Sequence, residues 1–352
     1  MSGLSKSGFA ARSITARLFA VFFAAVIAAS AVGAPACKKD EKRSLTFFAM
    51  DTVMDISLYG SADALDTAQK TVLDIEKALS VTDAGSEIFK LNEAGALSVS
   101  ESTANIIKTA LALAERTGGA FDPTVYPLVH AWGFTTGEHR VPTYDEIAAL
   151  IKKVDYRAVE TDGGRIALPE GFMLDLGGIA KGYASDRLVE LFKAEGVESA
   201  VINLGGNVHA LGKKPSGEEW NIAINDPAGG YAAILAVSDL AVITSGGYER
   251  NFTLDGITYC HIIDPDTGRP ANSGLASVTV VSSSGTLADA LSTALYVMGL
   301  ENAVEFYRNS SDFDAVFILE SGGMYVTEGL KDILSPKGRF GSEAIHFIKK
   351  QP

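Results

Sequence analysis

Apolar and polar residues alternate along LTFFAMDTVMDISLYG (Leu45 to Gly60), the period of two that predicts a strand. The next stretch, SADALDTAQKTVLDIEKALS (Ser61 to Ser80), changes period. Leu65, Ala68, Val72, Ile75 and Leu79 share one helical face, and Ser61 precedes them as a cap. Similar spacing predicts helices from Ser102 to Arg116 and from Tyr144 to Val154. Strands then dominate: RAVETD, RIALP, SAVINLG, EWNIAI, AAILAVS, LAVITSG, RNFTLD, TYCHIID and ASVTVVS, separated by Gly, Asp, Asn and Pro turns. Helices over Thr286 to Met298 and Glu301 to Tyr307 and late strands DAVFILE and GMYVTE close the body. The order is not a regular β-α-β alternation, so the pattern predicts an α+β fold of mostly antiparallel sheets with packed helices, as one compact unit over residues 46–352.

A chain of 352 residues with 47% hydrophobic residues can bury a substantial core. The formal net charge of −13 argues against a nucleic-acid partner, because such binding depends on Lys and Arg neutralising phosphates. The N-terminus reads separately. Lys6, Arg12 and Arg17 precede an apolar run from Leu18 to Val32, and GAPAC ends it with small residues. This is the pattern of a signal peptide over residues 1–36. Cleavage follows Ala36, or Cys37 is the lipidated first residue of a tether over residues 37–45; the polar KKDEKRS favours the lipid. The expectation is an exported protein, lipid-anchored through Cys37 on the periplasmic face of a bacterial membrane. The only other cysteine, Cys260, reads as a small buried hydrophobe in a strand, so no disulfide framework is expected.

Candidate chemistry gathers in segments where elements end: GGAFDPTVYPL, DLGGIAKGYASD, NLGGN, TSGGYERNF and HIIDPDTGRPA. DLGGIAKGYASD, Asp175 to Asp186, matches neither a P-loop nor a dinucleotide fingerprint. Its glycine pair still permits close backbone approach, a helix start behind it offers free N–H groups to an anion, and Lys181 adds a positive charge. Asp289 and Thr293 in ADALSTAL lie four apart and share a helical face. They could give two hard oxygen ligands to Mg²⁺, or Asp289 could serve the helix dipole while Thr293 packs. His261 could be a general base or a structural strand histidine, and Arg250 an anion ligand or a surface pair. Phe121 and Tyr126 could form an aromatic wall or core, and DPDTGRP reads as a tight turn.

In this order the segments resemble the ApbE family of Mg²⁺-dependent FAD:protein FMN transferases. The similarity runs from AMDTVMDI through SEIFKLN and the segments above to ADALSTALYVMG, roughly residues 46 to 330. It implies an ApbE-like (T-fold-like) unit that cleaves FAD and transfers FMN to a Thr hydroxyl of an acceptor protein, releasing AMP. By motif, Met50, Ala120, Phe121, Asp122, Asp175, Lys181 and the backbone near Ile263 would contact FAD. Gly178 through its carbonyl, Asp289 and Thr293 would hold Mg²⁺, and His261 or Asp289 would act as the base. Implied acceptors are flavoprotein subunits of respiratory or electron-transport complexes. Two departures stand out: Asp51 where the family commonly has Gly, and Thr82 or a neighbour where an aromatic is common. Rival readings are an FAD pyrophosphatase giving FMN and AMP, and a non-enzymatic flavin-binding lipoprotein.

Overall fold

Met50 and Asp51 have φ angles of 48° and 59°, the two left-handed residues of a tight two-residue hairpin turn. The run predicted as one strand therefore folds back on itself as β1 (Lys42–Ala49) and β2 (Thr52–Tyr59), with Ala49 opposite Thr52. The computed structural model describes residues 41–341 and 344–350. The signal peptide and the lipid site at Cys37 that the sequence leads one to expect lie outside these residues. The expected tether is too long at its C-terminal end, since Lys42 already pairs with Tyr59 and the compact unit starts at Glu41 rather than residue 46.

Seven further strands extend the hairpin: β3 (Ala200–Leu204), β4 (Asn207–Leu211), β5 (Leu240–Gly246), β6 (Leu275–Ser282), β7 (Asp314–Leu319), β8 (Met324–Thr327) and β9 (Ile345–Ile348). Their spatial order in the nine-stranded sheet is their chain order. Neighbours are antiparallel from β1 to β8, and β9 joins β8 in parallel. This is the α+β, mostly antiparallel architecture that the patterning predicts.

Three helices cover one face: α1 (Ala62–Leu79), α2 (Gly177–Ala194) and α3 (Gly285–Arg308). Met54, Ile56 and Leu58 of β2 pack under Ala68 and Val72 of α1 and Leu188 and Phe192 of α2. Farther along, Ile243, Val278 and Val280 pack under Leu291 and Leu295 of α3. Because strand side chains alternate between faces, Val242 and Val281 point the other way. They pack on a small sheet of Trp220–Asn225, Tyr231–Val237 and Leu334–Pro336. Gly299, at φ 74° and ψ 168°, breaks α3 between the two helices that the sequence predicts there.

Local differences have local causes. RAVETD begins as a 3-10 turn over Tyr156–Ala158, capped by the Asp155 side chain, and only Glu160–Asp162 is strand. The helix expected to reach Val154 ends at Leu150 and tightens into a 3-10 turn. TYCHIID is interrupted at His261: Ile257–Cys260 pairs with Asn251–Leu254, whereas Ile263–Asp264 pairs with Arg269–Pro270.

Candidate active site

The site is built where α2 crosses α3. A Cβ at Gly182 would run into the Gly285 carbonyl and the Asp289 Cβ, so the crossing requires glycine. The sequence places a loop ahead of a helix here; instead α2 begins at Gly177, and Lys181 and Gly182 lie in its second turn. At the crossing, the Gly182 N–H donates to Asp289 Oδ2 at 2.8 Å and the Asn207 amide donates to Asp289 Oδ1 at 2.9 Å. In a regular helix the Gly182 N–H would donate to the Gly178 carbonyl; here it donates to the Asp289 carboxylate. Thr293 lies one turn beyond Asp289, its Oγ1 3.3 Å from Ser245 Oγ, which is 2.8 Å from Ser292 Oγ. A Cβ built on Gly178 would stand 3.7 Å from Thr293 Oγ1. Gly178, Asp289 and Thr293 thus come together from two helices.

These donors are a carboxylate, hydroxyls and a helical carbonyl, all hard oxygens without sulfur or imidazole. Such a set fits Mg²⁺. Among the described residues, no group of three or more His, Cys, Asp or Glu side chains is arranged to hold a metal.

Lys181 is half-buried on α2 and faces three titratable groups. Burial raises the Asp175 pKa, against a hydrogen bond from the Gly177 N–H and the charges of Arg250 and Lys181. Burial also raises the Glu249 pKa; Lys181 and Arg250 oppose the shift and Asp289 adds to it. His261 is pushed down to about 4 by burial, with the Arg250 carbonyl opposing and the Arg250 and Lys181 charges adding. Its Nδ1 lies 3.1 Å from that carbonyl, which also accepts the His261 N–H at 3.0 Å. A neutral ring donating through Nδ1 leaves Nε2 as its acceptor. Arg250 reaches back to the first hairpin, with NH1 3.9 Å from Asp51 Oδ2.

The family profile described as the ApbE family matches residues 50–317. The chain belongs to the ApbE family. Among its relatives, a FAD:protein FMN transferase of Treponema pallidum is 36% identical over 279 residues, covering 73% of this chain and 77% of the relative. The FAD:protein FMN transferase of Salmonella typhimurium is 33% identical over 307 residues, covering 82% and 86%. In structure, the chain is similar to the ApbE protein of Thermotoga maritima, with TM-score 0.78, 36% identity and coverage of 83% of this chain and 99% of that one. The apo flavinyl transferase ApbE of Pseudomonas stutzeri gives TM-score 0.76 at 29% identity, covering 84% and 97%.

Of the remaining residues marked by ApbE resemblance, several serve the frame. The Asp122 carboxylate is buried and accepts from Thr124 N at 2.8 Å, Thr124 Oγ1 at 2.6 Å and Tyr156 N at 3.0 Å. It holds the GGAFD loop in shape, and burial raises its pKa. Phe121 belongs to the core with Ile179 and Ala294. The Met50 N–H donates to Glu76 Oε1 at 2.7 Å, and Ile263 packs with Leu128 and Trp132. A cleft of about 700 Å³ opens beside this frame, lined in part by Gly118, Ala120, Asp264, Val297 and Met298. DPDTGRP is the expected turn: Asp264 accepts from Asp266 N and Thr267 Oγ1, both at 2.9 Å. Cys260 is buried and free.

Sequence reading alone misses Asn207, Ser245, Ser292, Glu249 and Asp186. Each lies inside a segment that its glycines or spacing single out, but strand register and helix crossing decide which member faces the site.

Proposed function

We propose that this ApbE-family chain is a Mg²⁺-dependent FAD:protein FMN transferase that esterifies a threonine hydroxyl of an acceptor protein and releases AMP. The relatives' activity supports this reading, and the observation that carries it is the Asp289 carboxylate fixed at the α2–α3 crossing beside Thr293, Gly178 and Lys181. The cleft lined by Ala120 and Asp264 has the volume of a small-molecule site.

In the proposed reaction the acceptor Oγ bonds to the phosphorus on the FMN side of the pyrophosphate. The bond from that phosphorus to the bridging oxygen breaks, and AMP leaves with the oxygen. Nε2 of neutral His261 takes the hydroxyl proton; the lone pairs that Asp289 keeps beside its two N–H donors would go to the cation, which leaves His261 as the base. Lys181 balances charge on the pyrophosphate oxygens. Gly178, Asp289 and Thr293 would hold Mg²⁺, which supplies Lewis-acid neutralisation of the phosphate charge when bound.

The N-terminal apolar run and Cys37 support export and a lipid anchor on the periplasmic face of a bacterial membrane, where acceptor subunits of electron-transport complexes would be reached. Incubation with FAD, Mg²⁺ and a threonine-bearing acceptor domain, read by intact mass, tests the activity. The expected outcome is an FMN adduct on threonine with one AMP per adduct. Free FMN and AMP without adduct would make the chain a pyrophosphatase, and unchanged FAD would leave only binding.

A further inference from the structure

Asn207 opens β4 directly after a turn in which Gly205 and Gly206 have φ of 63° and 97°. That turn is fixed from two sides. A Cβ at Gly205 would run into Thr52, and the Gly206 N–H donates to Asn203 Oδ1 at 2.8 Å. Asn207 is therefore delivered at one height at the end of the sheet. Its side chain is buried, 4% exposed, with Nδ2 2.9 Å from Asp289 Oδ1. A carboxylate only accepts when ionised, so the amide nitrogen is the end that must face it.

We propose that Asn207 is a positioning residue for the cation-binding carboxylate: the sheet, through Asn207, sets the orientation in which Asp289 meets the metal. The proposal rests on Asp289 being a Mg²⁺ ligand. The two oxygens of Asp289 are held by donors from different elements, Gly182 of α2 and Asn207 of β4. One donor alone would leave the carboxylate free to rotate about its terminal torsion. An amide restrains that rotation without adding charge, whereas Lys or Arg there would compete with the cation. Each oxygen retains a further lone pair for a ligand. This gives NLGGN its purpose: the glycines make the turn, Asn203 braces it, and Asn207 reaches the site.

Calorimetric titration of Mg²⁺ into the purified chain without FAD tests this, using wild type, Asn207→Ala, Asn207→Ser, Asp289→Ala and the Asn207→Ala/Asp289→Ala double variant. Loss of a residue that orients a metal ligand typically costs about 10–100-fold in metal affinity. Asn207→Ala is expected to weaken Mg²⁺ binding by about that factor, Asn207→Ser by less, and raised Mg²⁺ should restore FMN transfer in both. In the double variant, loss of Asn207 should add nothing to the transfer defect of Asp289→Ala. Unchanged Mg²⁺ affinity in Asn207→Ala beside a lost affinity in Asp289→Ala overturns the positioning role alone. Full additivity in the double variant does the same. Unchanged affinity in Asp289→Ala overturns the metal reading and the proposal with it. If the alanine variant fails to fold, Asn207→Ser carries the same comparison.

Discussion

The carboxylate of Asp186 accepts both the backbone N–H and the hydroxyl of Thr286, at 2.9 and 2.6 Å. It also takes the Gly285 N–H at 2.6 Å and the Ser284 hydroxyl at 3.0 Å. The last residue of DLGGIAKGYASD thus closes the N-terminus of the helix that carries Asp289 and Thr293. A negative charge there satisfies orphan N–H groups and meets the positive end of the helix dipole. Asp186→Ala is expected to destabilise the protein by about 2 kcal/mol, with Asp186→Asn recovering part of the loss. Thermal unfolding of the two variants measures this. Equal stability of wild type and Asp186→Ala would leave Ser284, which accepts the Leu287 N–H at 3.2 Å, as the sufficient cap.

Periodicity reveals the helices and most strands because burial dictates both. It conceals the first hairpin for a specific reason. Ala49 and Met54 are both buried, yet they stand five residues apart, a phase slip in a period-two pattern. Met50 between them is itself apolar, and Asp51, without a Gly or Asn beside it, is a weak turn signal on its own. The site is legible to the level of its segments, since close backbone approach needs glycine. Asn207 and Ser245 emerge only when β4 and β5 pair in register, with Leu240 opposite Ala210, and when α3 lies across them. Those are long-range facts that local patterning does not encode.

Lys181 occupies the second turn of α2, half-buried, with its charge acting on Asp175, Glu249 and His261. Lys181→Met keeps an apolar stem of similar length and removes the charge. The transfer rate is expected to fall by about 100-fold, the scale of one lost charge-stabilising contact in a transition state. Melting temperature should stay near that of wild type. A parallel loss of stability and rate would assign the lysine to the fold instead.

Asp51 sits at φ 59°, where an L side chain is strained and glycine is not. Its ion pair with Arg250 spans 3.9 Å between side chains that are 86% and 54% exposed, so the pair contributes little. Relief of strain should outweigh the lost contact. Asp51→Gly is expected to stabilise the protein by about 0.5–1 kcal/mol, seen as a higher Tm. Because the Arg250 charge also acts on Asp175 and His261, releasing it from Asp51 should tighten FAD binding, measured by flavin fluorescence titration. A lower Tm would show that the pair matters more than the turn strain.

His261 supplies the pH dependence. Its pKa is lowered to about 4 in the folded protein, from 6.5, by burial and by the charges of Arg250 and Lys181. Between those values the unfolded chain binds a proton that the folded chain refuses, so stability rises with pH across that interval. The contribution is fully present above 6.5 and is lost as pH falls through the window to about 4. His261→Gln should flatten this part of the curve of Tm against pH. Catalysis provides a separate check. As the base, neutral His261 works well below the ordinary imidazole range, so the acid limb of kcat/KM should lie near 4 rather than near 6.5. His261→Gln should lower kcat by about 100-fold or more while FAD still binds, the usual worth of a positioned base. An acid limb that stays in place in a variant of undiminished kcat would remove His261 from the reaction and leave its hydrogen bond to Arg250 as a structural tie.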